Sequence, residues 1–576
     1  METMREQSSK TEQKIQSYEA IVASQAAQIA ELKAIVLGQS AQIAEMKALI
    51  EYYEDKFKVA QRERFGASSE KTPDALRFEN MFNEAEDQAD PLSPEPAYEE
   101  IIYRRRKRAG KREEDIAGLP VERVDYELPE SERLCSECGE VMRDIGVAVR
   151  DEIVIVPARV IHKEHAAHAY ACANCEKNSD HTPIVKAETP PPLISGSLAS
   201  PSAVAYIAAQ KYINGMPLYR QETGFGYDNI NLSRQTMANW LVYCAQTYLS
   251  SIYALLIRHL LRESLLHADE TTHQVLHEKG RAAQTKSYEW LYRTSRYCEH
   301  PVVIYEYQET RSQVHPQAFL KDFNGYLHAD GYQSYHNLHS GIIVVGCWFH
   351  ARSYWENLYN TIAEDKRDGS IAERGLVYIN LLFVFEEEFH ELAPEERYKK
   401  RLEFSKPVSD EFFAWAGSLK ALPKSLLGEA IEYAFNQRAY LENVYLDGRL
   451  EFSNNRAERS VKPFVQGRKQ WLFSNTPNGA ESSSIIYSLI ETAIENLLHP
   501  ANYIKFLLET LPTAKTSDLE SLLPWSQTLP DYCRAPKMAT RKKPRKQKHT
   551  GSLNQALLKL RAKFAGNSIP SGAVPP

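Results

Sequence analysis

The chain has no apolar run of the ~18–20 residues that a membrane span needs; the best stretch, Gly341 to Phe349, is strand-sized. Its first seven residues, Met1 to Gln7, lack the apolar core of a signal peptide, so a cytoplasmic protein with no membrane partner is expected. Cysteine is scarce, eight in 576 residues, which excludes a disulfide-built scaffold. No charge of one sign dominates: 69 basic against 76 acidic residues leave −7, so the total does not announce a polyanion partner. With 43% apolar and 25% charged residues, the balance excludes a wholly disordered or fibrous chain. Such a length exceeds one hydrophobic core, and about 150 residues per domain points to roughly four units.

What is present is unevenly placed. Two basic clusters, Arg104 to Arg112 and Arg541 to Lys548, suit phosphate neutralisation with counterion release. The first follows an acidic, proline-containing stretch, Glu84 to Glu100, that reads as a solvated linker. For the C-terminal cluster a solubilising tail is an equal alternative. Four cysteines form two pairs, Cys135 with Cys138 and Cys172 with Cys175, 33 residues apart. A two-residue gap lets both thiolates of a pair reach one tetrahedral Zn2+, and His165 or His168 lies close enough in sequence to replace a ligand. Nearer the N-terminus, Ile15, Val22, Ile29, Val36, Ile43, Ile50 and Phe57 recur every seven residues. Tyr18, Gln25, Leu32, Gln39, Met46 and Tyr53 follow the first six by three. This is the a/d seam of a coiled coil, and β-branched residues at a favour a homodimer.

Pro190 to Pro192 read as a stiff hinge before a helix over Pro201 to Tyr212. Beyond a glycine-containing turn region, Ser233 can cap a helix that exposes Arg234 and Gln235 and buries Met237, Trp240 and Leu241. Such a pair of helices suits a helix-turn-helix reader of base edges, though plain scaffold uses the same pattern. From Ser264 the texture changes to short strands at Leu265–Asp269, Tyr288–Thr294, Val302–Tyr307, Tyr326–Asp330 and Ile342–Trp348, mixed with helices, as in an α/β layer fold. Residues 370–445 read as helical. The same triplet, His-Ala-Asp, closes two apolar runs, at Asp269 and Asp330. Together with Glu458 these carboxylates could hold two Mg2+ ions for in-line attack at phosphorus. Taken singly each has a bland alternative: a helix cap for Asp269, a turn for Asp330, and a capping box begun by Asn455 for Glu458.

The words Arg64-Phe-Gly-Ala-Ser-Ser-Glu-Lys71, the two cysteine pairs, and Ser233-Arg-Gln-Thr-Met-Ala-Asn-Trp240 occur in this order. Ala268-Asp-Glu-Thr271, Leu327-His-Ala-Asp-Gly-Tyr332 and Gly346-Cys-Trp-Phe-His-Ala-Arg352 follow. Asn454-Asn-Arg-Ala-Glu-Arg459, Gly467-Arg-Lys-Gln-Trp-Leu-Phe473 and Leu522-Leu-Pro-Trp525 complete the set. From Arg62 to Trp525 the chain thereby resembles the large transposase (TnpC type) of the insertion sequence 66 family. The resemblance implies an RNase H-like core with an Asp-Asp-Glu triad on Asp269, Asp330 and Glu458, at intervals of 61 and 128 residues. One departure is Ser353, where the family usually has a second arginine after Arg352.

The implied organisation is a coiled coil (10–60), a linker (61–113), a zinc module (114–188) and a helix-turn-helix region (195–255). An RNase H-like mixed sheet follows (260–365), interrupted by a helical insertion (366–448) before the part carrying the glutamate (449–510) and a basic tail (511–576). The expected activity is metal-dependent end cleavage and strand transfer with Mg2+ or Mn2+. Arg234 and Gln235 would contact the element's ends, and Arg456, Arg459, Arg468 and Lys469 its phosphates. Expected partners are DNA, a second copy of the chain, and small accessory transposition proteins. His350 is open between a core histidine and one that serves the site. The competing readings are a zinc-containing dimeric DNA-binding regulator with an inactive core, and a nuclease that cuts without joining.

Overall fold

The computed structural model describes residues 159–171, 184–536 and 552–565, with six helical, exposed positions between 25 and 39. Apart from those six, the expected coiled coil lies outside the described residues. So do both basic clusters and the four paired cysteines. The chain forms two compact units, residues 68–189 and residues 1–67 with 190–576. In the first, β1 (Ala169–Ala171) and β2 (Ile184–Lys186) pair antiparallel, and His165 and His168 are exposed.

The second unit opens with four helices, α1 (Pro201–Tyr212), α2 (Leu218–Tyr227), α3 (Arg234–Cys244) and α4 (Ser250–Leu260). Helix α1 starts where the Ser200 hydroxyl accepts the Ala203 amide and Pro201 takes a position that needs no N–H. Ser233 caps α3 by accepting the Thr236 amide; Met237, Trp240 and Leu241 are buried while Arg234 and Gln235 are exposed. The turn between α2 and α3 is not made by glycine. Gly224 and Gly226 lie inside α2, and Asn229 supplies the left-handed residue, at φ 57°. Joined by a π-helical turn, α3 and α4 run continuously from Arg234 to Leu260, the one stretch among the described residues long and apolar enough to cross a membrane. Its apolar side, including Ile252, Leu256 and Leu260, is buried in the main core.

The sheet contains β3 (Leu265–Gln274), β4 (Lys286–Thr294) and β5 (Val303–Gln308), followed after the short α5 (Val314–Phe319) by β6 (Gly325–His328) and β7 (Ile342–Val345). Its order is β5-β4-β3-β6-β7. Strands β3, β4 and β5 pair antiparallel, whereas β6 and β7 run parallel to β3, making the RNase H-like mixed sheet. Strand β3 is twice as long as expected, so Asp269 sits mid-strand. Strand β6 ends at His328, two residues before Asp330.

After β7 come α6 (Trp348–Thr361) and the helical insertion: α7 (Ile371–Glu388), α8 (Pro394–Lys400), α9 (Lys406–Ser418), α10 (Leu426–Asn436) and α11 (Arg438–Glu442). The chain ends its described course with α12 (Asn455–Trp471), α13 (Pro477–Glu495), α14 (Pro500–Thr510) and α15 (Ser552–Ala565). One core joins the sheet to α1, α3, α4 and α12–α14. A second, rich in Trp and Phe, joins α6 to the insertion. Gly375 permits the close approach of α6 and α7, because a Cβ there would lie 2.0 Å from the Trp355 ring. Fully buried Arg401 ties the insertion to the segment before α12: it donates to Glu386 (2.8 Å) and to the carbonyls of Asp447 (3.1 Å) and Leu450 (2.6 Å). Helix α15 docks on the insertion through Arg561–Glu388 (2.7 Å) and Lys563–Glu411 contacts.

On β5, burial raises the Glu306 carboxyl from 4.5 to about 7; Glu289 adds to the shift and the Gln308 amide opposes it. A carboxyl raised on folding contributes fully below its unfolded value, and that contribution is lost as pH rises through about 7. Glu306→Gln should therefore raise the unfolding temperature more at pH 8 than at pH 5, a linked difference on the order of 2–3 kcal/mol. Equal shifts at the two pH values would contradict this.

Candidate active site

The repeated triplet acquires a meaning in the sheet. Strands β3 and β6 are parallel neighbours with Leu266 beside Leu327 and His267 beside His328. The two His-Ala-Asp words therefore start side by side; the pleat returns Asp269 to the face of His267, and Asp330 follows two residues beyond the end of β6. The imidazoles stack at 4.6 Å, inclined by 13°. Burial holds both neutral, lowering His267 to about 3 and His328 well below its ordinary range.

One residue docks α12 on this row. Asn454 donates its side-chain amide to the Ala268 carbonyl (2.7 Å), which fixes the amide's orientation and turns its oxygen to His267 Nδ1 (3.1 Å). His267 must then carry its proton on Nδ1. His328 Nε2 accepts the Glu451 amide (3.0 Å), so its proton also sits on Nδ1. The Asn454 amide donates to Cys347 Sγ (3.2 Å), and the Asn454 carbonyl accepts from Glu458 (3.2 Å). The N-cap is Asn454 and not Asn455, the residue from which a capping box was expected; Asn455 is the first residue of α12, and the Asn454 side chain makes no cap hydrogen bond but clamps the helix to the sheet.

Helix and strand periods then match. Four helical residues rise about 6 Å and two strand residues about 6.6 Å. Glu458, one helical turn beyond Asn454, comes close enough for its charge and those of Asp269 and Asp330 to act on one another. Further anchors hold α12: Arg293 donates to Ser460 Oγ (2.6 Å), and Arg468 donates to Thr271 (3.2 Å) and Thr272 (2.7 Å) hydroxyls.

The carboxylates feel one another. Burial raises Asp269 well above the usual carboxylate range, with Glu270, Asp330 and Glu458 adding to it and the Glu270 amide (2.9 Å) opposing. Burial likewise raises Glu458; His350 and Lys462 oppose this and Asp330 adds to it. Glu270 pairs with Arg311 (2.8 Å), which stacks on Tyr332 at 3.6 Å, and accepts the Tyr335 hydroxyl (2.5 Å). Asp330 accepts the Tyr332 amide (2.9 Å), so its turn geometry and its place in the row coexist. Glu458 Oε1 is buried without a hydrogen-bond partner. An acidic row that repels itself and leaves an oxygen unpartnered fits a divalent cation.

The basic candidates separate. Arg459 and Lys469 are exposed along α12. Arg456 is half-buried beside Glu451 (3.6 Å), and Arg468 is turned onto β3. Arg234 extends into solvent near Glu222 (3.8 Å), and Gln235 bonds Asn239 (3.1 Å). His350, open in the sequence, lies 4.0 Å from Glu458. Burial works against its charge, but the neighbouring Cys347, Glu458 and Asp330 raise it to about 9. Asn454, Cys347 and Glu270 were not singled out from sequence, although all three stand inside the words quoted there. The asparagine beside Asn455 and the Cys-x-x-His spacing were the available signals.

A mixed sheet in this order, with aspartates on and just beyond its central parallel strands and a glutamate on the following helix, defines an RNase H-like core. Residues 196–482 match the sequence profile described as the transposase IS66 family, and residues 488–525 the IS66 C-terminal element. Residues 132–176, which include all four paired cysteines, match the zinc-finger binding domain of transposase IS66. Residues 52–124 match a profile described as transposase C of IS166 homeodomain. The chain belongs to the IS66 transposase family. It is 28% identical over 492 residues to the uncharacterized protein y4qI of Sinorhizobium fredii, covering 81% of this chain and 87% of that one. The uncharacterized protein y4jD of the same organism is 29% identical over 432 residues, covering 72% and 82%.

If Asn454 is the clamp described, Asn454→Ala leaves His267 and the Ala268 carbonyl unpaired and lowers stability by about 2–4 kcal/mol. Chemical unfolding measures this; a loss below about 0.5 kcal/mol would remove the clamp from the account.

Proposed function

We propose that this chain is a DNA transposase that cleaves the ends of an insertion sequence and joins them to target DNA. What supports the reading is the parallel register that sets the two His-Ala-Asp words side by side, with the charges of Asp269, Asp330 and Glu458 acting on one another, in a chain of this family. Divalent cations, Mg2+ or Mn2+, held by Asp269, Asp330 and Glu458 would neutralise charge at the scissile phosphate and acidify the attacking water.

The remaining work belongs to the chain's own residues. The strands and α12 hold the three carboxylates preorganised, so little reorganisation is needed when substrate arrives. Arg459 and Lys469, exposed along α12, neutralise phosphates beside the cut, a positioning role without sequence information. Arg456 and Arg468 act closer in, stiffening the helix base, and reach phosphate only by leaving their present partners. Arg234 and Gln235 at the start of α3 contact base edges at the element's ends. A zinc module on Cys135, Cys138, Cys172 and Cys175 adds to end recognition. The coiled coil over 10–60 pairs two copies so that two ends are held together, with small accessory proteins as further partners. Joining replaces one phosphodiester by another, so a nucleotide cofactor has no part in it. The setting is the cytoplasm, where the DNA is.

Labelled end DNA and a supercoiled target test this with purified protein. Asp269→Ala should bind end DNA as before while strand transfer falls by about 10³-fold or more. Unchanged transfer would refute the triad. Binding without cutting by the parent would favour the regulator, and cutting without joining would favour the nuclease.

A further inference from the structure

We propose that Cys347, His350 and Glu458 form a second, sulfur-containing cation site that takes a borderline-soft divalent ion of the zinc class. Its occupation would draw Glu458 away from the Asp269–Asp330 row. The inhibitory half of this inference rests on the function proposed above; the binding half does not.

One donor atom from each of the three residues lies within 4.8 Å of the other two. Local structure explains the convergence. Cys347 follows β7 by two residues, so it continues the row begun by Asp269 and Asp330, and it is the N-cap of α6. His350 stands three residues on, in the first turn of that helix, and the Cys-x-x-His spacing brings both donors to one side, as paired ligands require. Glu458 arrives from α12, with its carboxylate 4.0 Å from His350 Nε2. That is too far for a hydrogen bond. A tetrahedral ion with bonds of about 2.0–2.3 Å spaces its donors by roughly 3.3–3.8 Å, within reach of small side-chain rotations.

The surroundings suit an ion. Cys347 Sγ accepts the Asn454 backbone amide (3.2 Å), a contact that orients the sulfur. Glu458 Oε1 has no hydrogen-bond partner although buried. Cys347 is 1% exposed, yet the side chains of His350 and Glu458 remain 37% and 27% exposed, leaving a path from solvent and an open fourth position. The two donor sets differ in kind. Asp269, Asp330 and Glu458 offer oxygen alone, suited to hard cations; Cys347 and His350 offer sulfur and nitrogen, which select zinc-like ions over magnesium. Glu458 is common to both.

Zn2+ titration of the full-length protein in millimolar Mg2+, followed by calorimetry, tests the site. The parent and Asp269→Ala should bind one more equivalent of Zn2+ than Cys347→Ser or His350→Ala. Equal stoichiometry in all four would overturn the site, and two separate variants guard against a folding defect in either. In the joining assay, micromolar Zn2+ should slow the parent at least about tenfold and each variant far less, relative to that protein's own zinc-free rate. Equal zinc sensitivity would overturn the sharing of Glu458. A parent that never joins in Mg2+ alone would count against the proposed function, leaving the stoichiometry to decide the site.

Discussion

The parallel register of β3 and β6 is the constraint on which the rest of the molecule depends. A one-residue slip would send one aspartate to the opposite face of the sheet. The register is held by features that would be poor choices elsewhere: two fully buried imidazoles, kept uncharged and stacked, each with one ring nitrogen bonded to the segment before α12. Polar groups buried this way are costly unless paired, so they favour one arrangement over its neighbours. Asn454 reads that arrangement and passes it to the helix that carries Glu458, whose charge then acts on Asp269.

Gathering carboxylates in a half-buried row opposes folding, as the raised Asp269 and Glu458 show. The chain offsets this locally rather than by lowering the acid count. Glu270 is paired with Arg311 and hydrogen-bonded by Tyr335. Around Glu458, His350 and Lys462 supply compensating charge. The 128-residue interval before Glu458 is bridged by its own aromatic core and by Arg401, which fixes the returning segment at Asp447 and Leu450. The insertion is thus a brace for the last carboxylate as much as a separate layer.

Much of this was legible before any coordinates. Helix α1 follows the sequence reading residue for residue, because a serine cap and a proline at the first position leave little freedom. The strand positions were readable from their apolar runs, but not their lengths: β3 continues through Thr271 and Thr272, whose hydroxyls are taken by Arg468 from α12. That pairing joins residues nearly 200 apart, and no local pattern announces it. For the same reason Arg468, which looks like a phosphate contact in sequence, is found turned inward. The repeated His-Ala-Asp was visible as a repeat, whereas its side-by-side register is a tertiary fact. The Cys-x-x-His word says little in sequence, because one such pair is weak until a third donor arrives from elsewhere.

The central claim, that Asp269, Asp330 and Glu458 surround one cation position, is tested most directly by iron-mediated cleavage of the protein's own backbone. Fe2+ with ascorbate, added to the full chain, generates hydroxyl radicals where the ion sits, and the fragments identify the nearby segments. The account predicts cuts clustered at three places, near residues 269, 330 and 458, suppressed together by excess Mg2+. Cuts at one of these segments without the other two would contradict it.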